Sequence, residues 1–96
     1  MNAGQQAEII WDTWGVPHID ARDEAGVFRA FGWAQMRDHG DLVLRLYGRA
    51  RGRAAEYWGA EELAYDRLTW TWAFPDTAAE WYAAQSPAMR ANLDAF

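Results

Sequence analysis

Hydrophobic and polar positions along the chain follow two periods, one after the other. Glu8-Ile9-Ile10-Trp11-Asp12 is β-branched and aromatic, which suits a strand. Thr13-Trp14-Gly15 supplies a turn, with Gly15 free to take positive φ. Val16-Pro17-His18-Ile19-Asp20-Ala21 then resumes the extended pattern. Pro17 has no backbone N–H, so the second strand is expected at an edge or paired on one side only. Together these segments predict a β-hairpin over residues 7–21, preceded by a polar lead-in, residues 1–6, expected to be disordered.

The period then becomes helical. Asp23 suits an N-cap with Glu24 in the first turn, and Ala25, Phe28, Phe31 and Gln35 mark one face. From Asp41 a second helical stretch places Val43, Leu46, Tyr47 and Ala50 at i, i+3, i+4 and i+7, an apolar stripe. Gly48 and Gly52 weaken this helix, and Gly59 is expected to end the region. Residues 60–75 read as a connector with a short helix from Ala60 to Leu68 and an extended Trp70-Thr71-Trp72. Thr77-Ala78-Ala79-Glu80 matches a capping box opening a helix to Gln85, and Ser86-Pro87 opens the last one. Met89, Leu93 and Phe96 line one face of that helix, which carries no stop signal. The expectation is of a chain truncated at its C-terminus.

Composition sharpens this picture. The chain has 96 residues, enough for one small domain with a thin core. Nine basic against 14 acidic residues give a net charge of −5, which argues against nucleic acid and anionic membrane surfaces as partners. All the basic residues are arginine, so Schiff-base and lysine-nucleophile chemistry are excluded for these residues. With no cysteine, disulfides, thiolate metal sites and cysteine catalysis are excluded too. No run approaches the ~20 apolar residues of a membrane span, and no signal-peptide pattern is visible. Seven tryptophans ask for more partner surface than 96 residues readily provide.

Chemistry-bearing residues are few. His18 needs a nucleophile to act as a base, and the single serine, Ser86, is better explained as a helix cap. The expected role of His18 is a strand histidine bonded to the backbone. Asp38, His39 and Asp41 are the tightest group of metal-ligand types, but His39 points about 100° away from the other two on a helix. Capping or salt bridging is expected there instead. Arg45, Arg49, Arg51 and Arg53 with Glu56 could clamp an anion, although an ion-paired helical face is the simpler expectation, and Glu61-Glu62 reads as a solvated pair. Trp70, Trp72, Trp81 and Tyr82 could form a stacking platform for sugars, with packing the plainer reading. A small tryptophan-rich binding or interaction domain therefore stands as one reading of the chain.

Four motifs in order carry a resemblance. Asp12-Thr13-Trp14-Gly15-Val16-Pro17-His18-Ile19 resembles the D-x-x-G-V/I-P-H-I opening of the penicillin acylase family. That family comprises penicillin amidases, cephalosporin acylases and acyl-homoserine-lactone acylases. Gly32-Trp33 with Asp38 resembles its G-Y-x-x-A-Q-D helix, although Met36-Arg37-Asp38-His39 stands where A-Q-D-R is usual. Gly52-Arg53-Ala54-Ala55-Glu56-Tyr57-Trp58-Gly59 resembles G-x-x-A-E-x-x-G, and Ser86-Pro87 with Leu93 to Phe96 resembles the S-P-E…L-x-A-Y helix. Across residues 8–96 the resemblance implies an α+β fold, an N-terminal β-hairpin followed by helices. This would be a fragment, residues 7–96, of the four-layer αββα N-terminal nucleophile hydrolase fold.

The resemblance also implies a precursor that cuts itself into α and β chains. The new N-terminal serine of the β chain then attacks an amide and forms an acyl-enzyme. No catalytic, substrate-binding or metal-binding residue carries over onto this chain, and a structural calcium would be held mainly by residues outside it. Asp12, Gly15, Pro17, His18, Asp38, Gly52, Glu56 and Gly59 carry over as structural signature positions. The expected partners are the remainder of the α chain and the β chain, and relatives are commonly periplasmic or secreted.

Overall fold

The computed structural model describes residues 7–96, so the expected lead-in, residues 1–6, lies outside the described residues. Strands β1 (Ala7–Trp11) and β2 (Pro17–Ala21) pair antiparallel, with Ile9 opposite Ile19 and Trp11 opposite Pro17. Helices follow: α1 (Glu24–Ala50), α2 (Ala54–Trp58), α3 (Leu63–Thr71), α4 (Phe74–Ala84) and α5 (Pro87–Ala95), with a single 3-10 turn at Ala60–Glu62. This is the α+β order expected, hairpin first and helices after. Within α1 the backbone leaves helical geometry at His39 (φ −138°, ψ 32°), next to Gly40. The chain divides there into two compact units. One runs to Asp38 and includes Ser86–Phe96; the other is His39–Gln85.

In the first unit the hairpin turn is a type I turn closed by a left-handed glycine. Gly15 N–H donates to the Asp12 carbonyl at 3.1 Å, Asp12 N–H to the Val16 carbonyl at 3.1 Å, and Gly15 sits at φ 78°. Asp23 caps α1 as expected, its Oδ1 accepting from Gly26 N–H at 2.7 Å. Ser86 caps α5, accepting from Met89 N–H at 3.1 Å. The tightly packed positions of α1 in this unit are small ones, Ala30 and Ala34, instead of Phe28 and Phe31. Any side chain at Gly32 would run into the backbone carbonyl of Phe96, and the Phe31 and Phe96 rings meet with centroids 5.5 Å apart. α5 is tied back by the buried Asn92, whose amide donates to Glu24 at 3.0 Å.

In the second unit α1 ends at Ala50, and Gly52 at φ 68° turns the chain into α2. The Trp70 indole N–H donates to the Gly52 carbonyl at 3.0 Å and fills the space where a Cβ would stand. Two sequence expectations fail here. Trp70-Thr71-Trp72 is the end of a helix: the Thr71 hydroxyl bonds the Arg67 carbonyl one turn back, and the Thr69 hydroxyl and Trp70 indole tie the helix to the carbonyls of Arg49 and Gly52. A three-residue alternation is too short a signal to outweigh those contacts. The capping box at Thr77 is also not used. Helix α4 starts four residues earlier, after Ala73 in left-handed conformation (φ 54°), with Pro75 in its first turn needing no N–H partner.

Candidate functional site

At the hairpin tip one carboxylate makes three bonds. Asp12 Oδ1 accepts from Trp14 N–H at 2.9 Å and Val16 N–H at 3.0 Å, while Oδ2 meets His18 Nε2 at 3.0 Å. The His18 bond, then the backbone donors, hold the Asp12 carboxyl below its ordinary range. The backbone partner expected for His18 is thus replaced by the Asp12 side chain. Strand pairing decides this: position 18 lies on the hairpin face that is open to solvent, within reach of the turn. Trp14 at the tip is 89% exposed. Pro17 sits opposite Trp11, and Gly15 closes the turn, so four of the signature positions form one local device.

The second cluster surrounds the Gly52 turn. Arg49 forks onto Glu62, Nε to Oε2 at 2.8 Å and Nη2 to Oε1 at 3.0 Å. Its guanidinium also lies 3.9 Å from the Tyr65 ring centroid. This pairing holds Glu62 below and Arg49 above their ordinary ranges. Glu62 is only 8% exposed, so the expected solvated Glu61-Glu62 pair is corrected for Glu62: the arginine fork compensates its desolvation. Asp66, equally buried, accepts Ala54 N–H and Ala55 N–H at 2.9 Å each and so caps α2 from a different helix. Arg53 forks onto Glu56 at 2.8 Å for both bonds, holding that carboxyl down. Gly59 follows α2 at φ 100°.

Asp66 and Thr69 are the residues that reading the sequence missed. Glu62, Asp66 and Thr69 stand at i, i+4 and i+7, a polar stripe that is the buried face of the α3 region. That spacing was the available signal, masked by the expectation that buried stripes are apolar. The apolar stripe Val43, Leu46, Tyr47 and Ala50 is conversely open, with Leu46 and Tyr47 about half exposed. Asp38 pairs loosely with Arg37 at 3.6 Å.

Chemically, the hairpin offers a carboxylate–imidazole pair, two members of a nucleophilic triad, and among the described residues no hydroxyl is bonded to it. Ser86 is engaged at the α5 cap, while Thr69 and Thr71 donate to backbone carbonyls. Among the described residues no three His, Asp or Glu side chains gather as a metal set. No described helix is long and apolar enough to cross a membrane. The aromatic residues of α3 and α4 are surface residues: Trp72 stacks on Phe74 with centroids 6.5 Å apart, and Trp81 is exposed.

Comparison with known proteins gives concordant matches. The family model described as penicillin amidase matches residues 6–96. The chain is 30% identical over 99 residues to an acyl-homoserine lactone acylase PvdQ of Pseudomonas fluorescens, covering 95% of this chain and 13% of that relative. It is 42% identical over 57 residues to the penicillin acylase 2 proenzyme of a Pseudomonas species, covering 59% of this chain and 7% of that relative. Among solved structures it is similar to a thermostable penicillin G acylase from Alcaligenes faecalis. There the TM-score is 0.74 at 26% identity, over 92% of this chain and 47% of the other.

Proposed function

This chain belongs to the penicillin amidase family, and from that premise we propose that it is a structural part of an amide-bond hydrolase. Its substrate would be an N-acyl amide, either an acyl-homoserine lactone or a β-lactam side-chain amide, the classes that the names of its relatives carry. The match of the family model over residues 6–96 carries this reading. The nucleophile would be an N-terminal serine supplied by polypeptide outside this chain, acting through an acyl-enzyme whose oxyanion is held by donors also outside it. Residues 7–96 contribute framework: a hairpin locked by Asp12 and a helical unit locked by Arg49, Glu62 and Asp66. The expected partners are the remainder of the α chain and the β chain of one precursor.

The test is hydrolysis of acyl-homoserine lactones and β-lactam amides by the 96-residue chain and by a longer polypeptide containing it. The chain alone is expected to be inactive and the longer protein active; stoichiometric hydrolysis by the 96 residues would overturn the assignment of the nucleophile. In the longer protein His18→Ala should lower the yield of matured enzyme while leaving its kcat nearly unchanged. A kcat loss of about a thousandfold, the scale of a removed catalytic group, would place His18 in the chemistry.

A further inference from the structure

The chain passes between its two compact units twice, and at both passages the backbone leaves helical geometry. The first passage is at His39 (φ −138°, ψ 32°) inside α1. Gly40 follows it, and a Cβ there would meet open space, so no neighbour requires the glycine, which weakens a helix interior. The second passage is at Gln85 and Ser86, both extended (ψ 157° and 154°), between α4 and α5. Each unit also carries its own fastenings. Within His39–Gln85, Arg49 forks onto Glu62, Asp66 caps α2, the Thr69 hydroxyl donates to the Arg49 carbonyl, and the Trp70 indole donates to the Gly52 carbonyl. Within the other unit, the Asn92 amide donates to Glu24, Phe96 packs on Phe31 and Gly32, and Arg37 lies 4.2 Å over the Trp11 ring.

We propose that His39–Gln85 is a self-contained insert that opens and closes in one cooperative step while the hairpin unit stays folded. Burial of Glu62 and Asp66 makes the step cooperative. A buried carboxylate is tolerable only with its partners in place, so neither can be enclosed before the groups that satisfy it. Those groups interlock. Arg49 serves Glu62 with its guanidinium and Thr69 with its carbonyl. Asp66 meets Ala54 and Ala55 only when α3 has formed and the Gly52 turn has brought α2 to it. Loosening one fastening therefore exposes the others, and the insert has no stable halfway state. The hairpin unit shares none of these groups: Glu24, Phe31, Asn92 and Phe96 close it from its own two segments. Contiguous blocks of this kind are the units in which folded proteins open below their global stability. The inference holds whether or not the longer polypeptide is an acylase.

Native-state amide hydrogen exchange on the 96-residue chain tests this, with one fastening removed in each unit. Asp66→Ala takes the acceptor from the start of α2. Protection of amides in 42–50 and 67–71, which do not bond Asp66, is expected to fall about tenfold or more, while Ala30 and Ala34 stay within about twofold of the parent. Asn92→Ala is expected to do the reverse, lowering Ala30, Ala34 and 91–95 about tenfold and leaving 42–50 and 67–71 unchanged. Where Asp66→Ala cannot be isolated, Thr69→Val, which removes a single bond to the Arg49 carbonyl, is read in the same way. Complete loss of protection across 39–85 with Ala30 and Ala34 still protected would support the insert as fully as a partial loss. Equal losses throughout the chain for both variants would make the two units one cooperative block and overturn it. Loss confined to 54–58 would overturn the single step, and a parent chain unprotected across 39–85 would overturn its self-containment.

Discussion

Gly15 and Gly52 both hold positive φ, at 78° and 68°, yet they answer to different constraints. Around Gly15 a Cβ would find open space, so alanine there meets only the backbone penalty of the left-handed region, about 1–2 kcal/mol. At Gly52 the same Cβ would collide with the Trp70 indole and break its bond to the Gly52 carbonyl. Gly52→Ala should therefore cost about 2–3 kcal/mol, the backbone penalty plus a lost hydrogen bond, and Gly15→Ala about half that. Chemical denaturation of the two variants checks the order; equal losses would mean that Trp70 does not brace the turn. Both glycines stood out in the sequence as turn formers, and the partner at Gly52 did not, because Trp70 lies 18 positions away.

Elements here are fastened by polar side chains reaching across the chain. The N-terminus of α2 has no side-chain cap of its own at Arg53 and takes one from Asp66, in α3. The hairpin turn is fastened by Asp12, and this makes it sensitive to acid. The Asp12 carboxyl titrates below its unfolded value of about 3.8, so its contribution is complete above that pH and is lost as pH falls through the lower folded value. Protection of the Trp14 and Val16 amides, as exchange relative to the intrinsic rate at the same pH, should thus be high at pH 6 and fall below about pH 4, and Asp12→Asn should abolish that fall. Protection factors unchanged from pH 6 to pH 2 would sink this account. The hairpin and the caps at Asp23 and Ser86 were legible because each is a local pattern of residue types within four positions. The extended Trp70–Trp72 and the Thr77 cap were misread because their outcome depends on Arg49, Gly52 and Ala73, which a local pattern does not see.

Across the whole molecule, burial is inverted relative to composition. Among the described residues the buried apolar ones are Ala30, Ala34 and Ala54, no large side chain is fully enclosed, and Glu62, Asp66, Thr69 and Asn92 are buried instead. Large side chains such as Leu46, Trp72, Phe74 and Trp81 remain open. Exposed apolar surface on this scale marks an interaction surface. The 96-residue chain alone should therefore bind an apolar-surface dye at pH 7 and unfold over a broad temperature range. A sharp cooperative transition without dye binding, together with a tryptophan fluorescence shift on adding glycans, would favour the small binding domain instead.

Local patterns in the sequence by themselves determined the hairpin, the succession of helices, two of the caps and the family to which the chain belongs. These rest on propensities and short motifs that act between near neighbours in the chain. Tertiary structure alone decided that Glu62 is buried rather than solvated, that His18 bonds Asp12, and that Asp66 caps a helix other than its own. Each of these is a matter of desolvation or of hydrogen-bond direction. Both are fixed only when distant segments meet, and a buried carboxylate is tolerable only where the fold brings it an arginine or two free backbone N–H groups.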